Sequence, residues 1–166
     1  MTEFVTFPDA RLTQKAAPRP VDGDLVAIGE QLRAAAESAQ AYGLAAAHVG
    51  AVEPIVVISV AQDTAARDYL VMFNPEVLEV APETEFGPEG SVSMPGIESP
   101  VERPVWAVIA FDTVDGKRNT ERFEGFVARC ALHEIDQVNG TFFLSRLSRL
   151  KRDTAIRKFQ KLNRVS

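Results

Sequence analysis

The segment from Asp22 to Ala41 carries hydrophobic side chains at helical spacing. They recur every three or four positions, at Leu25, Ile28, Leu32, Ala35 and Ala36. Asp22 or Asp24 can cap the first turn, and Gly43 follows just beyond the last one. The pattern predicts one amphipathic helix that turns a single face toward a core.

Short runs rich in β-branched and aromatic residues follow, and Pro, Gly, Asp and Asn separate them. The runs cover residues 54–60, 69–73, 77–80 and 105–111. Each run predicts a short strand. The pair Asp115 and Gly116 is typical of a tight hairpin, so we expect the last run to turn back into a further strand over 118–123.

Helical spacing returns from about Gly125 to Val138 and ends at Gly140. A second late helix is predicted from about 148 to 163. The strands therefore stand in one block between one early helix and two late ones, which indicates an α+β fold. No repeat or linker divides the chain, so we expect a single domain over residues 1–166.

Composition narrows the class of protein. The 166 residues are 46% hydrophobic, which is enough for one compact core. The single cysteine excludes an internal disulfide, and no apolar run approaches the ~20 residues of a membrane span. The first residues lack the basic-then-apolar order of a signal peptide. We therefore expect a cytoplasmic protein without a membrane partner.

The net charge of −5 is distributed unevenly. Residues 145–166 hold eight Lys or Arg and one acid, a charge of +7, so the other residues, with 10 basic and 22 acidic side chains, carry −12. A basic helix on an acidic body can steer toward phosphate. The same charges also fit a solvated helix face that apolar side chains anchor to the body. Those side chains are Leu147, Leu150, Ile156, Phe159 and Leu162.

The stretch from Leu132 to Gln137 carries the first candidate chemistry. In a helix the side chains at i and i+4 share a face, so the pattern His-Glu-x-x-His presents two imidazoles to a metal and a carboxylate to its bound water. Here His133 and Glu134 occupy the first two positions, and Gln137 stands where the second histidine would be. The helix therefore predicts a metallohydrolase site with one ligand replaced.

Two further stretches, Gly43 to Gly50 and Glu89 to Gly96, complete an ordered set of motifs. Together the three resemble the peptide deformylase family, which carries Gly-x-Gly-Leu-Ala-Ala-x-Gln, then Glu-Gly-Cys-Leu-Ser, then Gln-His-Glu-x-Asp-His. Short matches at 73–76, 103–104, 139–143 and 146–147 extend the resemblance over nearly the whole chain. The chain is identified as a divergent member of that family.

The resemblance implies antiparallel β-sheets packed around the motif-bearing helix, with the Ser91 loop and a strand edge at His48 facing that helix. It implies removal of the formyl group from formyl-methionine at the N-terminus of nascent chains, with a divalent metal, Fe²⁺ or Zn²⁺, as the cofactor. In some deformylases a C-terminal helix docks on the ribosome. The resemblance thus makes the nascent peptide and the ribosome candidate partners.

The resemblance also assigns roles, position by position. The metal-ligand positions become Ser91, His133 and Gln137. The proton shuttle becomes Glu134, and the oxyanion donors become His48 and the backbone N–H of Val92. The substrate-binding positions become Gly43, Leu44 and Gly90.

Two of the ligand positions depart from the chemistry of the family. Ser91 offers a neutral hydroxyl in place of a thiolate, and Gln137 offers an amide oxygen in place of an imidazole. Tight metal binding depends on several strong ligands acting together. We therefore expect little bound metal and reduced or lost hydrolysis, with the groove for an N-terminal peptide kept.

His48 leaves an alternative open, because it adds an imidazole where the family has an amide. It could join His133 in a rearranged metal site that still hydrolyses an N-acyl substrate. It could instead be held by a backbone group or a Glu side chain, without any metal.

Three further hypotheses concern residues near these motifs. Cys130 precedes His133 by one helical turn and is expected to be a core residue, not a substitute thiolate ligand. A Ser91 nucleophile with His48 as its base would lack the strand–turn–helix elbow of serine hydrolases. Glu89 and Arg103 are expected either to pair and hold the loops or to form a solvated surface pair.

Overall fold

The computed structural model describes residues 3–165 and the side chains of residues 3–164. Its three α-helices are α1 (Gly23–Ala39), α2 (Gly125–Val138) and α3 (Arg149–Val165). Its seven strands are β1 (Gly43–Ala45), β2 (Ile55–Ser59), β3 (Tyr69–Val80), β4 (Thr84–Gly90), β5 (Glu98–Pro104), β6 (Trp106–Asp112) and β7 (Arg118–Glu124). Short 3₁₀ turns lie at Ala10–Thr13, Ala46–Val49 and Phe143–Arg146.

The strands form two antiparallel sheets. Five of them are ordered β1-β2-β3-β6-β7, and β4 and β5 pair separately. The predicted α+β class with antiparallel sheets is therefore confirmed. The predicted hairpin is also present, because β6 and β7 pair along their whole length around Asp115 and Gly116.

Helix α1 covers one face of the five-stranded sheet. The Asp22 side chain accepts a hydrogen bond from the Leu25 N–H at 2.9 Å and so caps the first turn. The buried face of the helix packs on β2 and β3. Gly29 is part of that face because a Cβ there would lie 2.8 Å from the ring of Phe73.

Helix α2 lies on the other face of the same sheet. Ala128, Ala131 and Ile135 are buried against Val56 and Phe111 in the largest apolar cluster. All five side chains of the adjoining strand β2 are buried, because helices cover both of its faces. The motif-bearing helix is thus central, as predicted, and its burial fixes the positions of His133 and Glu134.

Several strand predictions need correction. Residues 69–73 and 77–80 belong to one strand, β3, whose pairing with β6 shifts between Phe73 and Glu76. Asn74 there has φ of 49°, a conformation tolerated by Asn and typical of such irregularities. Strands β1, β4 and β5 were not predicted. His48 does not lie on a strand edge, since it belongs to the 3₁₀ turn that follows β1.

Helix α3 runs from Arg149 to Val165, close to the predicted 148–163. Ala155 and Phe159 are buried beside Phe142, as part of an apolar cluster under the helix. Of the predicted anchors, Leu147, Ile156 and Phe159 pack in this cluster. Leu162 is 44% exposed but its Cδ1 lies beside Gly96, whereas Leu150 is 73% exposed, so the prediction is wrong for Leu150. Within the described part of the chain, no helix is long and apolar enough to cross a membrane.

Candidate active site

A cleft of about 640 Å³ opens between the edge strand β1, the 88–92 segment and helix α2. It brings together most residues that the resemblance singled out, and its lining includes Gly43, His48, Gly90, Ser91, Val92, His133 and Glu134. Leu44 and Gln137 are not among its lining residues. The cleft is therefore the candidate site, and these two residues act from behind its walls.

Strand β1 offers its backbone to the cleft. The Ser59 N–H donates to the Tyr42 C=O at 2.8 Å, and Gly43 is the next residue along the ladder. Hydrogen-bonded and non-hydrogen-bonded pairs alternate in antiparallel sheets, so the N–H and C=O of Gly43 point away from β2. Leu44 pairs with Val57 and buries its side chain completely. The free edge at Gly43 can therefore pair with an extended peptide.

The ring of His133 is oriented by Glu89. The His133 Nδ1 lies 2.7 Å from Glu89 Oε1, and both side chains are buried. Burial opposes ionisation of Glu89, but hydrogen bonds from Arg103 and His133 outweigh it and lower its pKa to about 2. Burial also opposes protonation of His133, but Glu134 and Glu89 outweigh it and raise the His133 pKa. Glu89 therefore accepts the Nδ1 proton, and Nε2 is the ring atom left for other contacts.

Glu89 belongs to a buried cluster of charges behind the cleft. Arg103 donates to both oxygens of Glu89, at 2.8 and 2.9 Å, and to Asp136 at 2.6 Å. Arg129 donates to Glu89 at 2.8 Å, and Arg146 donates to both oxygens of Asp136. The expectation that Glu89 and Arg103 pair to hold the loops is confirmed, and the pair is buried, not solvated.

His48 is held by the backbone. The Ala45 N–H donates to His48 Nδ1 at 3.0 Å. Burial lowers the pKa of His48 to about 3, so the ring is neutral and carries its proton on Nε2. The approach of Nδ1 to Glu134 Oε1 at 3.6 Å is therefore not an ion pair. Of the two interpretations of His48, the structure shows the one in which a backbone group holds it.

The neutral form of His48 also excludes a serine nucleophile. His48 Nε2 lies 3.5 Å from Ser91 Oγ and faces it with an N–H. A general base must instead present a lone pair to the hydroxyl that it deprotonates. Ser91 accepts a second hydrogen bond, from the Ser93 N–H at 3.1 Å, and so acts as an acceptor.

Glu134 has a buried carboxyl oxygen without a hydrogen-bond partner in the described part of the chain. Its side chain is 7% exposed, and Oε1 has no hydrogen-bond partner within residues 3–165. Burial raises the pKa of Glu134 to about 7. A Cβ on Gly43 would come within 3.1 Å of Glu134 Cγ, so glycine at that position leaves room for the carboxyl group. An unpaired buried oxygen beside an open cleft marks a place for a ligand donor.

Gln137 is committed to a structural contact. Its Nε2 donates to the C=O of Leu12 at 2.5 Å, and the neighbouring Val138 C=O accepts from the Ala16 N–H at 2.9 Å. Both bonds fasten the N-terminal arm to helix α2. The Gln137 side chain also forms a hydrogen bond with His48. It is 1% exposed, and both contacts lie inside the protein at the position where the resemblance implies a ligand.

These residues do not fit a divalent metal. Ser91 is a neutral hydroxyl without the charge of a thiolate, and Gln137, whose amide nitrogen is held by Leu12, offers only an uncharged amide oxygen. A metal on either nitrogen of His48 would break the bond from Ala45, because Nε2 coordination puts a proton on Nδ1. Within residues 3–165, no group of three or more His, Cys, Asp or Glu side chains could hold a metal ion.

Cys130 differs in part from the prediction. It packs against the main core, as expected, but it also lines the cleft. Burial raises the pKa of its thiol to about 12, which argues against a thiolate. Sequence reasoning also missed Phe126 and Arg129 as lining residues. Their spacing of seven and four from His133 was the available signal, since it puts them on one helix face.

Comparison with known proteins agrees with the fold and the motifs. The sequence model of the family described as "Polypeptide deformylase" matches residues 1–153. A "Peptide deformylase-like" protein of Rhizobium meliloti is 41% identical over 163 residues, 98% of this chain and 93% of that protein. A "Peptide deformylase" of Agrobacterium fabrum is 34% identical, over 98% of this chain and 96% of that protein. The crystal structure of peptide deformylase from Ehrlichia chaffeensis is similar with a TM-score of 0.91 at 30% identity, covering 99% of this chain and 98% of that one. The chain therefore belongs to the peptide deformylase family.

Proposed function

We propose that this protein binds the N-acylated end of a peptide in the cleft and does not carry out the metal-dependent hydrolysis of its family. Peptide deformylases use a divalent metal and act on N-terminal formyl peptides of nascent chains. The observation that carries the proposal is the unpaired Oε1 of Glu134 in a cleft that has donors but no fitting metal ligands. Binding is retained in this account, and the means of activating water is lost.

The polar groups of the cleft complement an amide. The backbone N–H of Val92 has no acceptor within residues 3–165, and the Nε2–H of His48 makes a long contact of 3.5 Å with Ser91 Oγ, so both can turn to a ligand. These two donors suit the carbonyl oxygen of an acyl group. Glu134 Oε1 suits the amide N–H of the same group, because a buried acceptor gains most from a ligand donor. A formyl or other acyl amide would thus be held at both ends.

The peptide beyond the acyl group would pair with strand β1. Gly43 offers an N–H and a C=O on the free edge, which is the arrangement used when an extended peptide adds a strand to a sheet. Main-chain pairing gives affinity that depends little on side chains. The substrate-binding role proposed for Gly43 is therefore a backbone role, whereas Leu44 pairs with β2 and supports the strand, and Gly90 lines the cleft beside it.

The rearranged metal site with His48 and His133 is the alternative function. It requires His48 to release the Ala45 N–H, which would leave a buried backbone donor unpaired. It also requires a further ligand, and Glu134 in that role is no longer free as a base. The donor set thus favours the binding function over the rearranged hydrolase.

Calorimetric titration in the presence of a chelator tests the proposed function. Formyl-Ala-Ala-Ser should bind, and Ala-Ala-Ser, which lacks the acyl group, should bind at least about tenfold more weakly because the amide contacts are lost. Glu134→Gln should weaken binding of the formyl peptide, and Glu79→Gln, an exposed carboxylate of β3, is the matched control that should not. Equal affinity for both peptides, or release of formate from formyl-Met-Ala-Ser at a deformylase rate, would contradict the proposal.

The basic helix α3 carries a separate proposal. Lys151, Arg152, Arg157 and Lys158 lie on it, and Leu150 beside them is exposed. We propose that this surface contacts phosphate on the ribosome, because clustered cations attract a phosphate backbone. The contact is independent of the ligand in the cleft.

A further inference from the structure

Helix α2 forms one wall of the cleft, and the residues that line this wall change in chemical type along the helix. Glu134 and His133 lie at the end where the acyl amide is proposed to bind, and Arg129 and Cys130 lie about one turn, ~5.4 Å, closer to the helix N-terminus. Phe126 lies a further turn away and contacts Tyr42, with their ring centroids 4.9 Å apart, at the mouth. With its acyl amide at Glu134, a peptide would place its first side chain against the middle of this wall.

Arg129 is a largely buried guanidinium in that middle section, with 12% of its side chain exposed. Its Nη1 donates to Glu89 at 2.8 Å and to the Val101 C=O at 2.7 Å, with a longer contact of 3.4 Å to the Gly87 C=O. Its Nη2 donates to the Glu85 C=O at 2.7 Å. A guanidinium has five N–H groups, so its Nε–H and one Nη2–H have no acceptor within residues 3–165. These two N–H groups lie on neighbouring nitrogens, an arrangement that suits the two oxygens of a carboxylate.

Gly87 makes room for this arrangement. A Cβ on Gly87 would come within 2.9 Å of Arg129 Cζ and 3.0 Å of its Nε. The guanidinium therefore lies directly on the backbone of strand β4. The side chain is fixed there by its three strong hydrogen bonds, so a ligand would meet a preorganised donor.

The charges around Arg129 leave a positive excess. The cluster behind the cleft contains the carboxylates Glu89 and Asp136 and the guanidinium groups Arg103, Arg129 and Arg146. Three cations against two anions leave one positive charge in this cluster. In the neighbouring part of the cleft, ionised Glu134 offsets part of that charge and protonated His133 adds to it. Glu98 also lines the cleft, but it is exposed and therefore screened by water.

We propose that the cleft selects an N-acylated ligand whose first residue is acidic, Asp or Glu, and that Arg129 is the residue that determines this specificity. The carboxylate of that residue accepts from the free Nε–H and Nη2–H of Arg129. This inference rests on the proposed binding of an acyl amide at Glu134. It makes formyl-methionyl peptides poor ligands, since a methionine side chain would leave the guanidinium N–H groups unpaired and desolvated.

The test is a titration of the metal-free protein with three peptides that differ at one side chain: formyl-Glu-Ala-Ser, formyl-Gln-Ala-Ser and formyl-Met-Ala-Ser. The Glu and Gln peptides are matched in size and differ in charge. We expect the Glu peptide to bind at least about tenfold more tightly than either of the others, the effect of a hydrogen bond to a charged group. In Arg129→Gln the ratio of the two dissociation constants should fall to about one, whereas Arg122→Gln, on the exposed strand β7, should keep it.

Each of the other outcomes overturns a specific part of the proposal. Equal affinity for the Glu and Gln peptides, or tightest binding of the Met peptide, overturns the acidic specificity while acyl-peptide binding stands. A preference for Glu that survives in Arg129→Gln overturns the assignment to Arg129. Failure of all three peptides, and of formyl-Ala-Ala-Ser, overturns the proposed function and this inference together.

Discussion

Two buried polar regions meet at helix α2, and they differ in how completely their groups are paired. In the cluster behind the cleft, Glu89 and Asp136 each accept several charge-assisted hydrogen bonds from arginines. In the cleft, Glu134 keeps an oxygen with no partner within residues 3–165, and neutral His48 faces Ser91 at 3.5 Å. The paired region holds the scaffold, and the unpaired one is available to a ligand. The side chains at the metal-ligand positions have therefore changed, while the charge cluster that supports the cleft is intact.

Restoring the metal-ligating side chains should produce the largest change, a gain of bound metal. The double variant Ser91→Cys with Gln137→His would supply a thiolate and a second imidazole beside His133, and apparent affinities for three or four such ligands reach ~10–16 kcal/mol. We expect bound metal in the double variant and much less in either single variant. Gln137→His also gives up the bond to Leu12, so its thermal stability should be measured alongside.

Adding His48→Gln to the double variant should then bring hydrolysis of formyl-Glu-Ala-Ser into measurable range, and formyl-Met-Ala-Ser should be hydrolysed more slowly because it leaves Arg129 unpaired. An amide at this position supplies an oxyanion donor, and removal of such a donor costs ~10²–10³ in rate in other enzymes. A triple variant that binds metal but stays inert toward formyl-Glu-Ala-Ser would show that the replaced ligands alone do not explain the lost hydrolysis. An unmodified protein that already matches the triple variant would refute the view that Ser91 and Gln137 disable the site.

Removing an arginine from the charge cluster behind the cleft should give the next largest effect, which is a loss of stability. Arg103→Ala leaves the buried Glu89 and the partly buried Asp136 with fewer partners, so we expect the free energy of unfolding to fall by ~3–5 kcal/mol. Arg146→Ala removes an arginine that is 49% exposed from the same Asp136 and should cost ~1 kcal/mol or less. Urea unfolding measures both, and similar losses in the two variants would contradict the assignment of stability to the buried pair.

The unpaired carboxyl group predicts a pH dependence of stability. Burial raises the pKa of Glu134 from 4.5 to about 7, so the folded state binds this proton more tightly than the unfolded state does. The stabilisation is complete below pH 4.5 and is lost as the pH rises toward 7, with a slope of at most ~1.4 kcal/mol per pH unit. Glu134→Gln should remove this slope in unfolding measured across that range. Parallel curves for the two proteins would show that Glu134 titrates normally.

The surface charges of α3 should show the smallest effect per residue. Binding to ribosomes should weaken steeply with salt and disappear when Lys151, Arg152, Arg157 and Lys158 are all neutralised. A control that neutralises Arg33, Lys117 and Arg122, away from α3, should retain binding. Absence of binding at low salt would leave α3 as a solvated helix face.

The sequence was sufficient for the elements with strong periodicity. Helices α1 and α2 and the β6–β7 hairpin follow from helical spacing, an Asp cap and the Asp-Gly turn. Strands β4 and β5 escaped detection because their residues are mostly exposed and include three prolines, so they lack an alternating pattern. Their pairing depends on each other and on the cluster around Glu89, which no local pattern encodes.

The sequence predicted which residues form the site but not which partners they contact. The motifs brought His133, Glu134 and Ser91 to one cleft. The partner of Gln137 is Leu12, 125 residues away in the chain, and that contact arises only from the packing of the N-terminal arm. The tautomer of His48 likewise depends on the direction of one backbone N–H, at Ala45.

Metal content is the measurement that tests the central claim most directly. Protein purified without added metal should hold far less than one Fe, Zn or Ni per chain by elemental analysis, because Ser91 and Gln137 do not supply the ligands that complete a site with His133. Near-stoichiometric metal would contradict the account and would point to His48 and His133 as ligands.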